Sequence, residues 1–432
     1  MMRSHYASEV LPALDGTSVK LAGWVHEIRD MGGLMFIVLR DHSGLVQLTL
    51  KKKEAAPELL EMAGHFVKET AILCTGKVKA SKIAPGGREV VPESFEVVGP
   101  VHGMVPFEVT GKVPAELDVR LDKRFIDLRR LETTAVFKIR STLQNAFRRK
   151  LLELGFQEIN TPCIVSTSTE GGTDLFPVVY FEKEAFLAQS PQLYKQLAVM
   201  GGMDKVFMTT PVFRAEKHNT TAHLNEITQM DIEMGFATDL DALEVLEKVF
   251  LHMLSQVVEK NESDINTLKV DVSVPSALPR FTYTEIADAL GGAGYPITWG
   301  EDFSKEHEKA MPEILKSDAF LITEWPTKAR SFYSMPREDN PEICLAYDLM
   351  YKGLEIASGA QRIHIPDLLI KQLKAKGLHP SSFESYIDAF RYGAIPHAGW
   401  SIGSERLLQQ VCGLENIREA AMFPRDRHRL TP

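Results

Sequence analysis

VFMTTPVFRAEKHNTTAHLNEITQMDIEMGF, residues 206–236, is a pair of apolar runs around a charged loop. The first run, 206–213, is rich in β-branched and aromatic residues and suits a buried strand. The second, 224–235, carries three acids, Glu226, Asp231 and Glu233. Strand alternation puts Glu226, Thr228, Met230 and Ile232 on one face, and Ile227, Gln229, Asp231 and Glu233 on the other. The loop holds Arg214, Glu216, Lys217, His218 and His223. Such a hairpin either turns its polar face to water or buries its acids against partners. In the second case the arginine meets a phosphate, and the carboxylates hold an amine or a metal.

The surrounding chain sets limits. Its 432 residues allow two or three domains and a large core. No apolar run is long enough to span a membrane. The opening MMRSHYASEV has no apolar stretch of the kind a secretion signal carries. The four cysteines, Cys74, Cys163, Cys344 and Cys412, are far apart. A disulfide framework or structural zinc is therefore not expected, and a cytoplasmic location is. A net charge of −9 argues against coating nucleic acid indiscriminately. It leaves room for a local basic surface.

Before the hairpin, 1–102 reads as mostly β. Strands are expected at 19–28, 34–40, 45–51, 70–81 and 88–98, with a helix over 54–68 after the third. That order is the order of an OB-fold barrel, which binds oligonucleotides on one face. Phe36 is either a core aromatic or a stacking platform, and Arg29, Gln47 and Glu93 are candidates for base-edge hydrogen bonds. Residues 103–131 read as a hinge or linker. Its basic stretch, with Arg120, Lys123, Arg124, Arg129 and Arg130, is either a solvated face or an RNA-backbone contact, and the contact is the expectation.

From 134 to 154 a helix is expected, with Val136, Ile139, Leu143, Phe147 and Leu151 in one stripe. A stripe of this kind often packs on a second copy. Residues 166–179 form a Gly/Ser/Thr-rich flap around Glu170. SPQLYKQ starts a helix whose first turns carry Gln192 and Lys195, the latter a candidate anion receptor. Further on, AYDLMYKGLEIASGAQRIH (346–364) gives strands on both sides of a tight turn at Lys352-Gly353. Asp348 and Glu355 flank that turn and could share a hard cation. Ser358 and Arg362 are read as one helical turn apart. GWSIGSER (399–406) is a glycine-rich turn opening a helix, with Arg406 placed to reach a purine or a phosphate.

Together these stretches resemble the class II aminoacyl-tRNA synthetases of subclass IIb. The helix-strand unit ending at Pro162 is similar to motif 1, Phe213-Arg214-Ala215-Glu216 to motif 2 and 399–406 to motif 3. Within the subclass the resemblance is to aspartyl-tRNA synthetases of the short, archaeal type, on SPQLYKQ with its Lys195. The resemblance implies an α+β fold: an OB-fold anticodon-binding domain over 1–102, the hinge over 103–131, and a class II catalytic domain over 132–432 with an antiparallel sheet flanked by helices.

It also implies roles. Arg214 and Arg406 are the catalytic pair. Glu170, Gln192, Lys195, Arg214, Asp231, Ser358 and Arg362 bind L-aspartate, with Lys195 and Arg362 on its side-chain carboxylate. Arg214, Glu216, His223, Leu224, Glu355 and Gly403, Ser404, Glu405 and Arg406 bind ATP. Asp348, Glu355 and Ser358 surround Mg²⁺. The partners implied are tRNA(Asp) and a second copy of the chain in a homodimer. Relaxed members, which also charge tRNA(Asn), resemble this sequence in having His26 and Pro85. Relatives often carry Arg where Ala222 stands, so one γ-phosphate ligand is missing, and Lys217 or His218 is a candidate substitute. The rival readings are an asparaginyl enzyme, a strictly discriminating aspartyl enzyme, a non-catalytic RNA-binding paralogue, and an ATP-dependent amide ligase on the same fold.

Overall fold

A computed structural model describes residues 2–166, 175–216 and 220–432. The chain forms two compact units, 1–134 with residue 432, and 135–431. In the first unit β1 (Ser18–Asp30), β2 (Leu34–Asp41), β3 (Gly44–Lys51), β4 (Ala71–Ala80) and β5 (Arg88–Gly99) close a barrel in the order β1-β2-β3-β5-β4. Helix α1 (Pro57–Gly64) lies between β3 and β4 in sequence. Alternation decides which side chains fill the barrel. On β2, Met35, Ile37 and Leu39 point into the core, so Phe36 belongs to the outer face.

Short helices α2 (Leu117–Asp122) and α3 (Arg124–Asp127) follow. Their arginines do not form the RNA-facing surface expected of this stretch. Arg124 is fully buried, 2.5 Å from Asp127, and Arg120 donates to the same carboxylate at 2.7 Å. Arg129 pairs with Glu69 at 3.0 Å and lies over the Trp24 ring. Burying a guanidinium is costly unless a carboxylate meets it; Asp127 of the connector meets Arg120 and Arg124, and Glu69, ahead of β4, meets Arg129.

The second unit is built on an eight-stranded sheet. Helix α4 (Leu131–Glu153) leads into β6 (Gln157–Glu158). A small sheet of β7 (Ile164–Val165), β8 (Pro177–Tyr180) and β9 (Lys183–Leu187) precedes α5 (Gln192–Met200). The hairpin of β10 (Lys205–Phe213) and β11 (Glu226–Gly235) is followed by α6 (Asp239–Lys260) and α7 (Glu262–Leu268). Then come β12 (Arg280–Thr282), α8 (Tyr283–Gly292), α9 (Lys305–Leu315), β13 (Ala319–Thr323), β14 (Trp325–Pro326) and β15 (Ile343–Cys344). The chain continues with β16 (Ala346–Tyr351), β17 (Leu354–Arg362), α10 (Pro366–Ala375), α11 (Glu384–Phe390), β18 (His397–Gly403) and α12 (Ser404–Val411). The sheet order is β12-β13-β16-β17-β18-β11-β10-β6, antiparallel except for β6–β10 and β12–β13.

One face of this sheet packs on helices α4 and α6. The stripe Val136, Ile139, Leu143, Phe147 and Leu151 is buried there against Phe207, Trp400 and the α6 residues Leu246 and Phe250. That corrects the expectation that the stripe covers a second copy: its partner is the chain's own sheet. Residues 358 and 362 are likewise not one helical turn apart. Both lie on β17, where even spacing puts Ser358 and Arg362 on the same side. That side is the face of the sheet away from α6.

Candidate functional site

On the open face, strand register aligns polar residues in a row. Asp231 of β11 faces Ser401 of β18, Ser401 faces Ser358 of β17, and Ser358 faces Asp348 of β16. Two residues along β11, Glu233 faces Gly399. Gly399 has to be glycine: a Cβ there would stand 2.4 Å from a Glu233 carboxylate oxygen. The side chains of the intervening residues, Met230, Ile232 and Trp400, enter the core. The alternation read from the hairpin thus separates an apolar anchor from a charged working face.

At one end of the row lies a sealed cluster. Lys195, fully buried on α5, donates to Asp231 at 2.9 Å and sits 3.6 Å from Glu233. Arg362 donates twice to Glu233, at 3.0 and 3.3 Å, and Gln192 donates to it at 3.4 Å. Lys195 and Arg362 therefore converge on one carboxylate, and in the bare protein it is Glu233. Burial pushes the Asp231 carboxyl above its ordinary range against the pull of Lys195. Burial works the same way on Glu233, but Arg362 and Lys195 overcome it and hold Glu233 below the usual range. The fully buried His397 completes the setting; burial takes its imidazole down to about 4, so it is neutral. Neither Glu233 nor His397 was assigned a role from sequence. The signal for Glu233 was present, as a second acid two residues beyond Asp231 on the same face.

Beside the cluster the row opens into a cleft. Arg214, Glu216, Ala222, His223, Leu224, Glu355, Ser358, Ser401, Gly403, Glu405 and Arg406 line it. The hairpin end is braced: Arg214 N–H donates to Asn225 O at 2.9 Å, and Asn225 donates back to Arg214 O at 2.7 Å. Thr220 Oγ1 lies 2.6 Å from His223 Nδ1, and Arg418 donates to Thr220 O at 3.1 Å. Burial lowers the His223 pKa, with Glu216 opposing and the cations Lys305, Arg406 and Arg214 reinforcing the shift. Arg406 reaches across from α12 to Glu355 O at 3.1 Å. Among the described residues, no carboxylate is ion-paired with Arg214 or Arg406.

Of the residues expected at the nucleotide, Glu405 lines the cleft but is also tied to protein partners, and Ser404 does not line it. Glu405 is 3% exposed, pairs with Arg140 at 2.7 Å and accepts the Thr228 N–H at 2.9 Å. It clamps α12 to β11. Ser404 is buried and does not line the cleft. Glu170, Lys217 and His218 lie outside the described residues.

The oxygen donors expected to share a cation are only partly together. Glu355 and Ser358 line the cleft, whereas Asp348 is 1% exposed and stands opposite Ser358, not Glu355. The tight turn pairs Glu355 with Met350, and a β-bulge beyond it, between Leu349 and Met350, shifts the register so that Asp348 faces Ser358 instead of Ala357. Arg330 donates to Asp348 Oδ2 and, at 3.3 Å, to Ser358 Oγ. Asp348 Oδ1 is buried with no hydrogen-bond partner among the described residues. Burial pushes the Asp348 carboxyl up to about 7, with Arg330 opposing and Glu355 adding to it. An all-oxygen set with one orphaned carboxylate oxygen fits a hard divalent cation. Among the described residues there is no group of three or more His, Cys, Asp or Glu placed to hold a metal.

In the barrel, register brings Arg29, Phe36 and Gln47 onto one outer face: Arg29 faces Phe36, and Val38, next on that face, faces Gln47. Glu93 is not part of this patch; it is exposed on β5, 3.6 Å from Lys77. The acid at the patch is Glu89, which accepts from Thr49 at 2.6 Å and Gln47 at 3.4 Å. His26 is half-buried at the bulge of β1, its Nδ1 2.8 Å from Arg40, which in turn pairs with Glu69 at 2.7 Å. Burial and then Arg40 lower its pKa. Pro85 is exposed in the β4–β5 turn.

Comparison with known proteins agrees along the full length. Residues 116–427 match the family model for class II tRNA synthetases (D, K and N), and 19–98 match that for the OB-fold nucleic acid binding domain. The chain is 50% identical over 428 residues, 99% of each chain, to a protein of Archaeoglobus fulgidus named aspartate–tRNA(Asp/Asn) ligase. It is 48% identical to the protein of that name in Methanocaldococcus jannaschii, covering 100% of this chain and 98% of the other. Among solved structures, an asparaginyl-tRNA synthetase of Pyrococcus horikoshii complexed with asparaginyl-adenylate superposes with a TM-score of 0.95 at 34% identity, with 100% of both chains covered.

Proposed function

The chain belongs to the class II tRNA synthetases of the D, K and N group, and on that premise we propose that it joins L-aspartate to tRNA(Asp) and tRNA(Asn) through an aspartyl-adenylate made from ATP. The observation that carries this reading is the convergence of buried Lys195 and Arg362. Two fixed cations suit a substrate that ends in a carboxylate and give an amide nothing in return for displacing Glu233. The two relatives near 50% identity carry the matching name, which also weighs against the asparaginyl assignment of the structural neighbour.

Aspartate occupies the sealed cluster, its side chain toward Lys195 and Arg362 and its amino group toward Asp231 and Gln192. Ser358 borders it, and Glu170, outside the described residues, is assigned to the aspartate by the family resemblance alone. ATP lies in the cleft with its α-phosphate on Arg214 and its distal phosphates toward Arg406; Glu216, His223, Leu224 and Gly403 frame the nucleotide. The substrate α-carboxylate attacks the α-phosphorus, the new O–P bond forms as the bond to pyrophosphate breaks, and Arg214 balances the charge that builds on the phosphoryl oxygens. A carboxylate is already ionised near neutral pH, so positioning and charge balance suffice without a general base. The 3′-terminal ribose hydroxyl of the tRNA then takes the aspartyl group and AMP leaves. Glu355 and Ser358, with the free oxygen of Asp348, would hold a Mg²⁺ that draws charge from the departing pyrophosphate.

The functional partition is 1–102 for anticodon binding, 103–131 as hinge and 132–432 for catalysis, in a cytoplasmic homodimer. Arg29, Phe36 and Gln47 meet anticodon bases, while Glu93 lies apart from them. His26 and Pro85 relax the choice between the two tRNAs, His26 through its tie to Arg40. Aminoacylation of tRNA(Asp) and tRNA(Asn) transcripts, measured side by side, tests this. Comparable efficiencies are expected; a deficit of several orders of magnitude on tRNA(Asn) leaves a strictly discriminating aspartyl enzyme.

A further inference from the structure

Arg330 follows β14 and has no part in the roles above, yet three contacts lock it at the edge of the cleft. Its guanidinium carbon lies 3.7 Å over the Trp325 ring, a stacked cation–π arrangement. One nitrogen donates to Asp348 Oδ2 and another, at 3.3 Å, to Ser358 Oγ. The side chain is only 15% exposed, so a free solvent ion does not compete well for Asp348. Glu355, a second carboxylate of this corner, lies beside Arg406, which donates to its backbone oxygen, and near Glu308, whose carboxyl is pushed up to about 7 by burial and then by Glu355. Asp348 is thus matched by Arg330, and Glu355 stands between Arg406 and Glu308.

We propose that Arg330 is a positioning residue that keeps Asp348 and Glu355 from taking up a divalent cation until nucleotide phosphates are present. Arg330 fills the charge requirement of Asp348 in the bare protein. A cation entering alone meets an Asp348 already paired with Arg330, and it cannot approach Asp348 Oδ2 without displacing a stacked, hydrogen-bonded arginine. The phosphates of ATP bring the missing charge, so the cation enters as a nucleotide complex. At the same time Arg330 fixes the Ser358 hydroxyl at the wall of the cleft. This rests on reading the cleft as the nucleotide site.

The test is a Mn²⁺ titration of the full chain followed by the EPR signal of the free ion, with and without ATP. Native protein is expected to bind Mn²⁺ only weakly alone and to retain it once ATP is added. Arg330→Met is expected to bind Mn²⁺ without ATP at least about tenfold more tightly, since one nearby positive charge is gone. Arg330→Lys keeps the charge but loses the planar fork. It is expected to bind Mn²⁺ as native does, while its KM for ATP rises about tenfold and kcat changes little. Tight Mn²⁺ binding by the native chain without ATP overturns the proposal. So does a folded Arg330→Met that binds Mn²⁺ no better than native, or an Arg330→Lys that binds it as tightly as a charge-free variant should. If Arg330→Met does not fold, the native and lysine arms decide. Failure of aspartate-dependent ATP–pyrophosphate exchange in the native chain would instead sink the nucleotide reading, which the Mn²⁺ titration without ATP does not address.

Discussion

The cluster around Glu233 and the cleft around Arg406 share one sheet face but solve opposite problems. In the cluster, Lys195, Asp231, Glu233 and Arg362 are all buried and paired within the protein. In the cleft, Arg214 and Arg406 are part-exposed and without carboxylate partners among the described residues. The first arrangement is rigid and selective: a ligand must match charges already balanced, and a wrong one leaves a buried ion unpaired. The second is permissive and strong: its cations wait for phosphates and gain most when charge develops there. Cluster mutations should therefore hurt amino-acid choice and folding together, while cleft mutations hurt ATP use alone.

The largest effect belongs to Arg362. Arg362→Ala removes a carboxylate receptor and strands Glu233, a loss of about 3–5 kcal/mol. The kcat/KM for aspartate in pyrophosphate exchange should fall about a thousandfold, and KM for ATP should change little. A comparable rise in the ATP KM would break the division between cluster and cleft. Next is Glu233→Gln, which leaves Lys195 and Arg362 with half their neutralisation. We expect a stability loss of about 3 kcal/mol by urea denaturation, accompanied by weaker aspartate use; a stability equal to native would show that Glu233 is not the keystone.

His397 sharpens the same contrast through pH. Its folded pKa, about 4, lies below the ordinary histidine value of 6.5. Between those values the unfolded chain binds the extra proton, so stability is complete above about pH 6.5 and declines as pH falls toward 4. The contribution at stake is about 3 kcal/mol at most. His397→Asn should flatten the melting temperature across this interval, and an unchanged slope would assign the acid sensitivity elsewhere.

In the barrel, Phe36→Ala should raise the KM for tRNA about tenfold, the worth of one base stack, with pyrophosphate exchange unchanged. The smallest effect is at the hairpin tip. Ala222→Arg adds a cation to the cleft and should lower the ATP KM about threefold; no change would mean that the cations already present satisfy the distal phosphates.

What was legible in the sequence followed from local rules. Alternation over 224–235 already placed Gln229, Asp231 and Glu233 on one face, and the strand order of 1–102 already gave the barrel. Lys195 was found from its helix start. The misplacements share a cause. The β-bulge at Leu349 sets Asp348 against Ser358, and no local pattern marks a register shift. The connector arginines looked free because Glu69, the partner of Arg129, is sixty residues away. The helix stripe of α4 looked exposed because its cover, Phe207 and Trp400, comes from strands later in the chain. Arg330 carries no motif at all and is recognisable only by what it touches.

The most direct test of the buried cation pair is ATP–pyrophosphate exchange by the native chain with aspartate and with asparagine in parallel. The kcat/KM for aspartate should be at least about 10⁴-fold higher, because asparagine would leave two buried cations without a carboxylate. Equal exchange with both amino acids, or exchange favouring asparagine, would contradict it.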